Sequence, residues 1–280
     1  MSITWPIFVA VLFGALLHAS WNALVKSSTD KTLDMALIHL IGSVMAIPLV
    51  AWVGWPVAAA WPFIAASVVI HIGYYIATTQ AYTHGDLGLT YPIMRGVAPL
   101  LVALVAVFSL GETLSTLAWG GIIVISSGVL VLGLNQQVLH APKAVFFALV
   151  NAAIIAAYTV VDALGVRASG HALQYVATLF LLDGLPFGLV VMAMRGRSAG
   201  VYARHRWPVA SLGALASLGS YGIALWAMTS APVAVVAALR ETSVLFAVLI
   251  GAWFLKESLS IRRVLGACTI VLGVMVVRVA

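Results

Sequence analysis

Charge is scarce in this chain. Asp, Glu, Lys and Arg make up 8% of its 280 residues, where a soluble domain carries about 25%. In their place 63% of residues are hydrophobic, and the mean hydropathy is +1.13. One water-soluble core does not hide that much apolar side chain, so the expected solvent is lipid. Cysteine is nearly missing. Cys268 is the only one, which excludes an intrachain disulfide and leaves no metal-ligand spacing. It is expected to be a small core residue of the last apolar run. Long polar connections are missing too. The longest runs through MRGRSAGVYARHRW, too short for a separate soluble domain. The H-E-x-x-H, P-loop and dinucleotide fingerprints do not occur, so neither ATP-driven transport by this chain nor redox chemistry has a motif behind it. Gly196-Arg197-Ser198-Ala199-Gly200 fits G-x-S-x-G. A nucleophile elbow needs a strand before it and a helix after it, whereas this one follows an apolar helix in an arginine-rich loop. It is read as coincidence. No cofactor, no metal and no enzymatic activity are expected.

What charge there is sums to +6. Most Lys and Arg stand at the ends of apolar runs, as topology signals do. No basic face interleaved with aromatics exists, so nucleic acid is excluded as a partner. Ten runs approach the roughly 20 apolar residues a spanning helix needs: about 3–25, 33–54, 61–83, 87–110, 117–134, 142–163, 172–194, 207–229, 233–254 and 260–279. They are continuous rather than alternating in polarity, which favours helices over a barrel. The first lacks the basic start of a cleavable signal and is expected to be retained. Lys26, Lys31, Lys143, Arg195, Arg197, Arg204, Arg206, Lys256, Arg262 and Arg263 fall in the loops after runs one, five, seven and nine. Arg167 and Arg278 fall on the other side. The positive-inside rule then puts both termini outside the cytoplasm.

Residues 90–135 and 235–280 align without a gap, at an offset of 145, with 12 of 46 positions identical. Arg95 falls on Arg240, Glu112 on Glu257, Gly121 on Gly266 and Gly128-Val129 on Gly273-Val274. The likeness extends upstream. Tyr74-x-Ile76-Ala77 matches Tyr221-x-Ile223-Ala224, Pro48 matches Pro186, and Trp21 stands roughly where Tyr158 does. The unit is therefore five helices used twice, divided as 1–138 and 139–280. Because five is odd, the second copy enters the membrane from the opposite side, giving inverted halves and a route to alternating access. The expected fold is all-α: ten transmembrane helices as two inverted five-helix repeats around a central cavity.

The paired blocks, TYPIMRGVAPLLVALVAVFSLGETLS and AALRETSVLFAVLIGAWFLKESLS, resemble the EamA repeats of the drug/metabolite transporter superfamily. The Tyr91–Gly96 and Ala238–Ser243 runs resemble a bacterial subgroup of it, and the whole chain looks most like the YddG-type amino acid and metabolite exporters. That resemblance implies a ten-helix basket around a central cavity, with helices five and ten at its periphery, and a small metabolite as cargo.

Charge at bilayer depth is costly and usually functional. Arg95 and Arg240 occupy matched places in helices four and nine, where a guanidinium facing the cavity would bind a carboxylate through paired N–H groups. Neutralisation of Arg240 by Glu241 or Asp183 is the competing structural role. Asp183, before Pro186, is the candidate for proton coupling, and its counterpart Met45 shows that it lies outside the duplicated core. Glu112 and Glu257 read as helix-start devices beside an N-terminal dipole. His18, Trp21 and Asn22 of helix one, and Tyr221 and Trp226 of helix eight, add polar and aromatic groups. In helix three His71, Tyr74, Tyr75, Thr78 and Tyr82 share one face, which is expected to look inward and stack on an aromatic or cationic solute. Asn151 and Tyr158 of helix six complete the substrate-binding set, Asn151 pairing with the polar stretch of helix one. Trp5, Trp52, Trp55, Trp61 and Trp207 read as interfacial anchors, and His39 as a packing residue. Helix four, with Pro92, Gly96 and Pro99, is the expected site of a gating bend.

Together these point to a secondary transporter exporting small metabolites, amino acids including aromatic ones, across a bacterial inner membrane. Its cavity is expected between helices one, three, four, six, eight and nine. Its partners are a small-molecule substrate and membrane lipid, and a monomeric working unit is compatible with this reading. Multidrug or nucleotide-sugar carriers of the same superfamily are the alternatives in cargo. An intramembrane enzyme is the alternative in class, and no nucleophile–base pair at bilayer depth supports it.

Overall fold

The computed structural model describes residues 3–133, 140–253 and 260–280. Those residues form helices and no strand. The elements are α1 (Trp5–Lys26), α2 (Lys31–Val53), a 3₁₀ turn (Ala58–Ala60), α3 (Trp61–His84), α4 (Leu87–Leu110), α5 (Thr116–Gly133), α6 (Pro142–Ser169), α7 (Ala172–Arg195), α8 (Arg197–Met228), α9 (Val233–Arg240), α10 (Thr242–Trp253) and α11 (Ile261–Val279). Among the described residues, nine helical runs are long and apolar enough to cross a membrane, with α9 and α10 counting as one. The chain is a multi-pass membrane protein. Helix is what such sequences must form, because hydrocarbon offers backbone N–H and C=O groups no partner. α11 is 19 residues long and carries Arg262, Arg263 and Arg278. The boundary between residues 138 and 139, together with Lys256 and Glu257, lies outside the described residues.

Local chemistry sets the helix ends. Asp30 accepts a hydrogen bond from the Leu33 N–H at the start of α2, and the Ser115 hydroxyl accepts from Ala118 N–H at the start of α5. Each satisfies a donor that the first helical turn leaves free. Gly111 and Gly170 end α4 and α6 in left-handed conformations, with φ of 64° and 67°, which suit glycine best.

The helices pack as antiparallel pairs. α5 lies on α11, α2 on α7, α3 on α6 and α1 on α8. Glycine makes the α5–α11 approach possible. A Cβ on Gly121 would sit 3.1 Å from the Gly273 carbonyl oxygen, and one on Gly128 would sit 2.9 Å from that of Gly266. The rising number meets the falling one, so the two helices run in opposite directions. A Cβ on Gly184 of α7 would likewise sit 2.5 Å from the His39 carbonyl oxygen of α2, and the Ser43 hydroxyl donates to the Phe180 carbonyl across that seam, at 2.8 Å.

The deepest element is α9, in which every residue from Val233 to Leu239 is buried. The chain turns at Glu241 before α10, and the Thr242 hydroxyl donates to the Leu239 carbonyl, at 2.7 Å. That break has no counterpart in the matched helix. α4 runs unbroken through Pro92 and Pro99, while its proline-free mate is the interrupted one. Cys268 corrects another expectation. It is exposed on α11 rather than buried, because the face of α11 packed on α5 is the one carrying Gly266, Ile270, Gly273 and Val277.

Candidate functional site

A cavity of about 130 Å³ opens between α1, α2, α3, α6, α7, α8 and α9. α1 contributes His18 and Trp21. α2 contributes His39, and α3 contributes His71, Tyr74 and Tyr75. Tyr158 of α6, Asp183 of α7, Ser220 and Tyr221 of α8 and Arg240 of α9 complete the polar wall. α4 does not line it, contrary to expectation, and α2 and α7 do. The α2–α7 seam is close enough for both helices to present side chains inward.

The rings form one connected cluster. His71 stacks on Tyr158 with centroids 4.4 Å apart, and Tyr74 meets Tyr158 edge-on at 6.1 Å. Tyr75 stacks on Phe187 at 4.7 Å. His39, expected only to pack, borders the cavity while its Nδ1 contacts the Met35 carbonyl, at 2.7 Å. The three helix-three residues reach the cavity because i, i+3, i+4 spacing puts them on one face.

The two matched arginines have different surroundings. Arg95 is buried, with Nε 3.0 Å from Glu241 Oε2 and Nη2 3.5 Å from the Ser243 hydroxyl. The Nε–H is not aimed at the carboxylate, so the contact is charge against charge rather than a hydrogen bond. Glu241 therefore neutralises Arg95, in the other half of the chain, and not its neighbour Arg240. Arg240 lies over the Tyr221 ring, 5.2 Å from the centroid, and is in no ion pair among the described residues. Tyr158 and Arg240 also border a small cleft that holds Arg95 and Glu241. Asp183 accepts a hydrogen bond from the Tyr75 hydroxyl, at 3.2 Å. A cation and an anion thus face one space, neither in an ion pair among the described residues.

The remaining candidates lie off the cavity. Asn22 donates to the His18 carbonyl, at 2.7 Å. Asn151 is fully buried and donates to Thr78 Oγ1, at 3.1 Å, and to Met94 Sδ, at 2.7 Å. Its partner is helix three rather than the expected helix one, because α6 packs along α3. Tyr82 and Trp226 are exposed, and neither lines the cavity. Glu112 is a helix-start device, but for a distant helix. It accepts from Val233 N–H, at 2.9 Å, and from Ala234 N–H, at 3.5 Å, capping α9. Arg167 pairs with it at 3.1 Å.

Residues 142–279 match the EamA-like transporter family. The matched stretch is just under half of the chain. A crystal structure superposes on this chain with a TM-score of 0.72, covering 96% of this chain and 94% of the other at 17% identity. The fold is shared at full length. No curated protein matches the sequence.

Sequence reasoning missed Asp162 altogether. It is fully buried in α6, and both its oxygens accept tyrosine hydroxyls, Tyr175 at 2.8 Å and Tyr221 at close range. An acid four residues beyond Tyr158 is one helical turn from a cavity residue, and that spacing was the available signal.

Proposed function

We propose that this EamA-like protein is a YddG-like secondary transporter that exports amino acids, aromatic ones among them, across the bacterial inner membrane by alternating access. One observation carries the reading: Arg240 faces the aromatic-lined cavity and is in no ion pair among the described residues, and Asp183 faces it from another wall. A zwitterion supplies both missing charges. Its carboxylate pairs with the guanidinium in forked geometry, its ammonium sits by Asp183, and a ring stacks among Tyr74, Tyr75 and Tyr158. The inverted repeat is supported by α5 and α11. They are corresponding segments at an offset of 145, yet they meet antiparallel, Gly121 on Gly273 and Gly128 on Gly266. Two halves related this way exchange conformations when the cavity changes the side it opens to.

Counterflow in proteoliposomes tests the proposal. Labelled L-phenylalanine is expected to accumulate against a preloaded excess of unlabelled phenylalanine. Uptake of cationic dyes or nucleotide sugars, with none of amino acids, moves the protein to the multidrug or nucleotide-sugar carriers.

A further inference from the structure

We propose that Asp162 is a proton-binding site, and that Tyr221 links its protonation to Arg240 and so to the cargo. This rests on the transporter reading but concerns a residue outside the cavity wall.

Asp162 is an acid within the apolar helix α6, 0% exposed. Among the described residues it has no Lys, Arg or His ion-pair partner. An intramembrane acid of that kind is costly, and it marks a proton or ion pathway by default. Its surroundings are hydroxyls. Tyr175 of α7 donates to one oxygen and Tyr221 of α8 to the other, and Ser67 of α3 lies nearby. Two hydroxyl donors hold the carboxylate form. On protonation one oxygen becomes a donor, and one hydroxyl must turn to accept or leave. Hydroxyls permit both, since each donates one bond and accepts two.

The other elements packed against α6 bring few charges. From α3, His71 acts electrostatically on Asp162, with its Nδ1 held by the Ser67 carbonyl, at 2.8 Å, and hydroxyl, at 3.2 Å. From α4, Arg95 is committed to Glu241 at the end of α9. From α9, Arg240 reaches Asp162 through the Tyr221 ring. On α6 itself Tyr158 lies one turn away. The 3₁₀ turn is alanine only.

Two routes connect this site to the cavity. His71 lines the cavity and contacts the Ser67 hydroxyl, and Ser67 lies near Asp162, so a hydroxyl stands between the imidazole and the acid. Tyr221 also lines the cavity, and its two ends serve different charges. The hydroxyl donates to Asp162 while the ring face supports the Arg240 guanidinium. A change in that hydroxyl's partner turns the ring under the arginine. Binding at Arg240 and protonation of Asp162 are therefore linked, each acting on the other by the same free energy. Asp183 takes part differently. It faces the cavity directly and accepts from Tyr75, which places it against cargo rather than behind it.

Infrared difference spectroscopy on the purified protein, without cargo, reads the site alone. The wild type is expected to lose a protonated-carboxyl band on alkalinisation. Asp183→Asn retains that band and Asp162→Asn lacks it. Tyr221→Phe shifts its midpoint. A band that persists in Asp162→Asn, or a midpoint unmoved by Tyr221→Phe, overturns the proposal. In proteoliposomes, phenylalanine counterflow at equal pH is expected to survive Asp162→Asn, while acceleration of net flux by a pH gradient is lost. Acceleration that survives the substitution also overturns it. Absence of phenylalanine counterflow in the wild type sinks the cargo assignment instead, and the infrared outcome still decides Asp162.

Discussion

Arg95 and Arg240 show what a single neighbour does to a side chain. They occupy equivalent positions at an offset of 145. Glu241 follows Arg240 in sequence, yet its carboxylate lies beside Arg95. Arg240→Gln is therefore expected to raise the half-saturating phenylalanine concentration in counterflow about tenfold to a hundredfold, as loss of a charge-assisted hydrogen bond of about 1.5–3 kcal/mol implies. Arg95→Gln acts on the fold. It leaves Glu241 buried and uncompensated, a defect costing about 3–5 kcal/mol. Thermal unfolding in detergent should show that loss, and adding Glu241→Gln should recover part of it. The sequence makes both arginines visible as intramembrane charge, but adjacency suggested the wrong ion pair. A helix brings together residues three and four apart, while consecutive side chains diverge. Asp162 escaped notice for a related reason: nothing in its own helix announces the two tyrosines that approach from α7 and α8.

Among the elements, α5 and α11 make the sharpest prediction. Most apolar runs were legible, because length and continuity suffice to mark a span, although α8 begins at Arg197, inside the stretch expected to be a loop. How closely two runs approach was not, because a glycine does not by itself say which neighbour it meets. Gly120 and Gly121 are neighbours that separate the two cases. A Cβ on Gly120 meets nothing within 4 Å. One on Gly128, a heptad from Gly121, would lie 2.9 Å from both the Gly266 carbonyl oxygen and the Ile270 nitrogen, and backbone atoms do not yield as side chains do. Gly128→Ala is expected to cost about 1–3 kcal/mol by overpacking, while Gly120→Ala is neutral or stabilising by up to about 1 kcal/mol from helix propensity. Denaturant unfolding of the two variants side by side checks the contrast. The break at Glu241 was illegible for its own reason. Proline marks a bend in a sequence, whereas here the Thr242 hydroxyl on the Leu239 carbonyl accompanies a turn that no proline announces.

Across the whole molecule, ion pairs clasp both ends of the bundle. Asp34 of α2 holds Arg206 of α8, at 2.7 Å, and the Tyr202 hydroxyl donates to the same carboxylate, at 2.8 Å. Glu112, after α4, holds Arg167 of α6. If alternating access operates, joining one end must arrest the cycle. Asp34→Cys with Arg206→Cys, on a Cys268→Ser background, is expected to lose counterflow when treated with a cleavable bifunctional thiol reagent and regain it on cleavage. Undiminished counterflow in the cross-linked protein counts against movement between α2 and α8. The duplication was legible in the blocks themselves, since 12 identities over 46 positions survive without a gap. The clasps were not, because partners such as Asp34 and Arg206 stand far apart in the chain.

The carboxylate of Glu112 ends up seated on the first turn of α9, half a protein away. Removing residues 1–138 would therefore strip that turn of its cap, bare the glycine groove of α11, and leave Glu241 without its cation. The family match spans 142–279, but a fragment of that extent is not expected to be self-sufficient. Expressed alone it should be degraded, and expressed beside residues 1–138 it should be rescued, because each half supplies atoms that the other was built to receive.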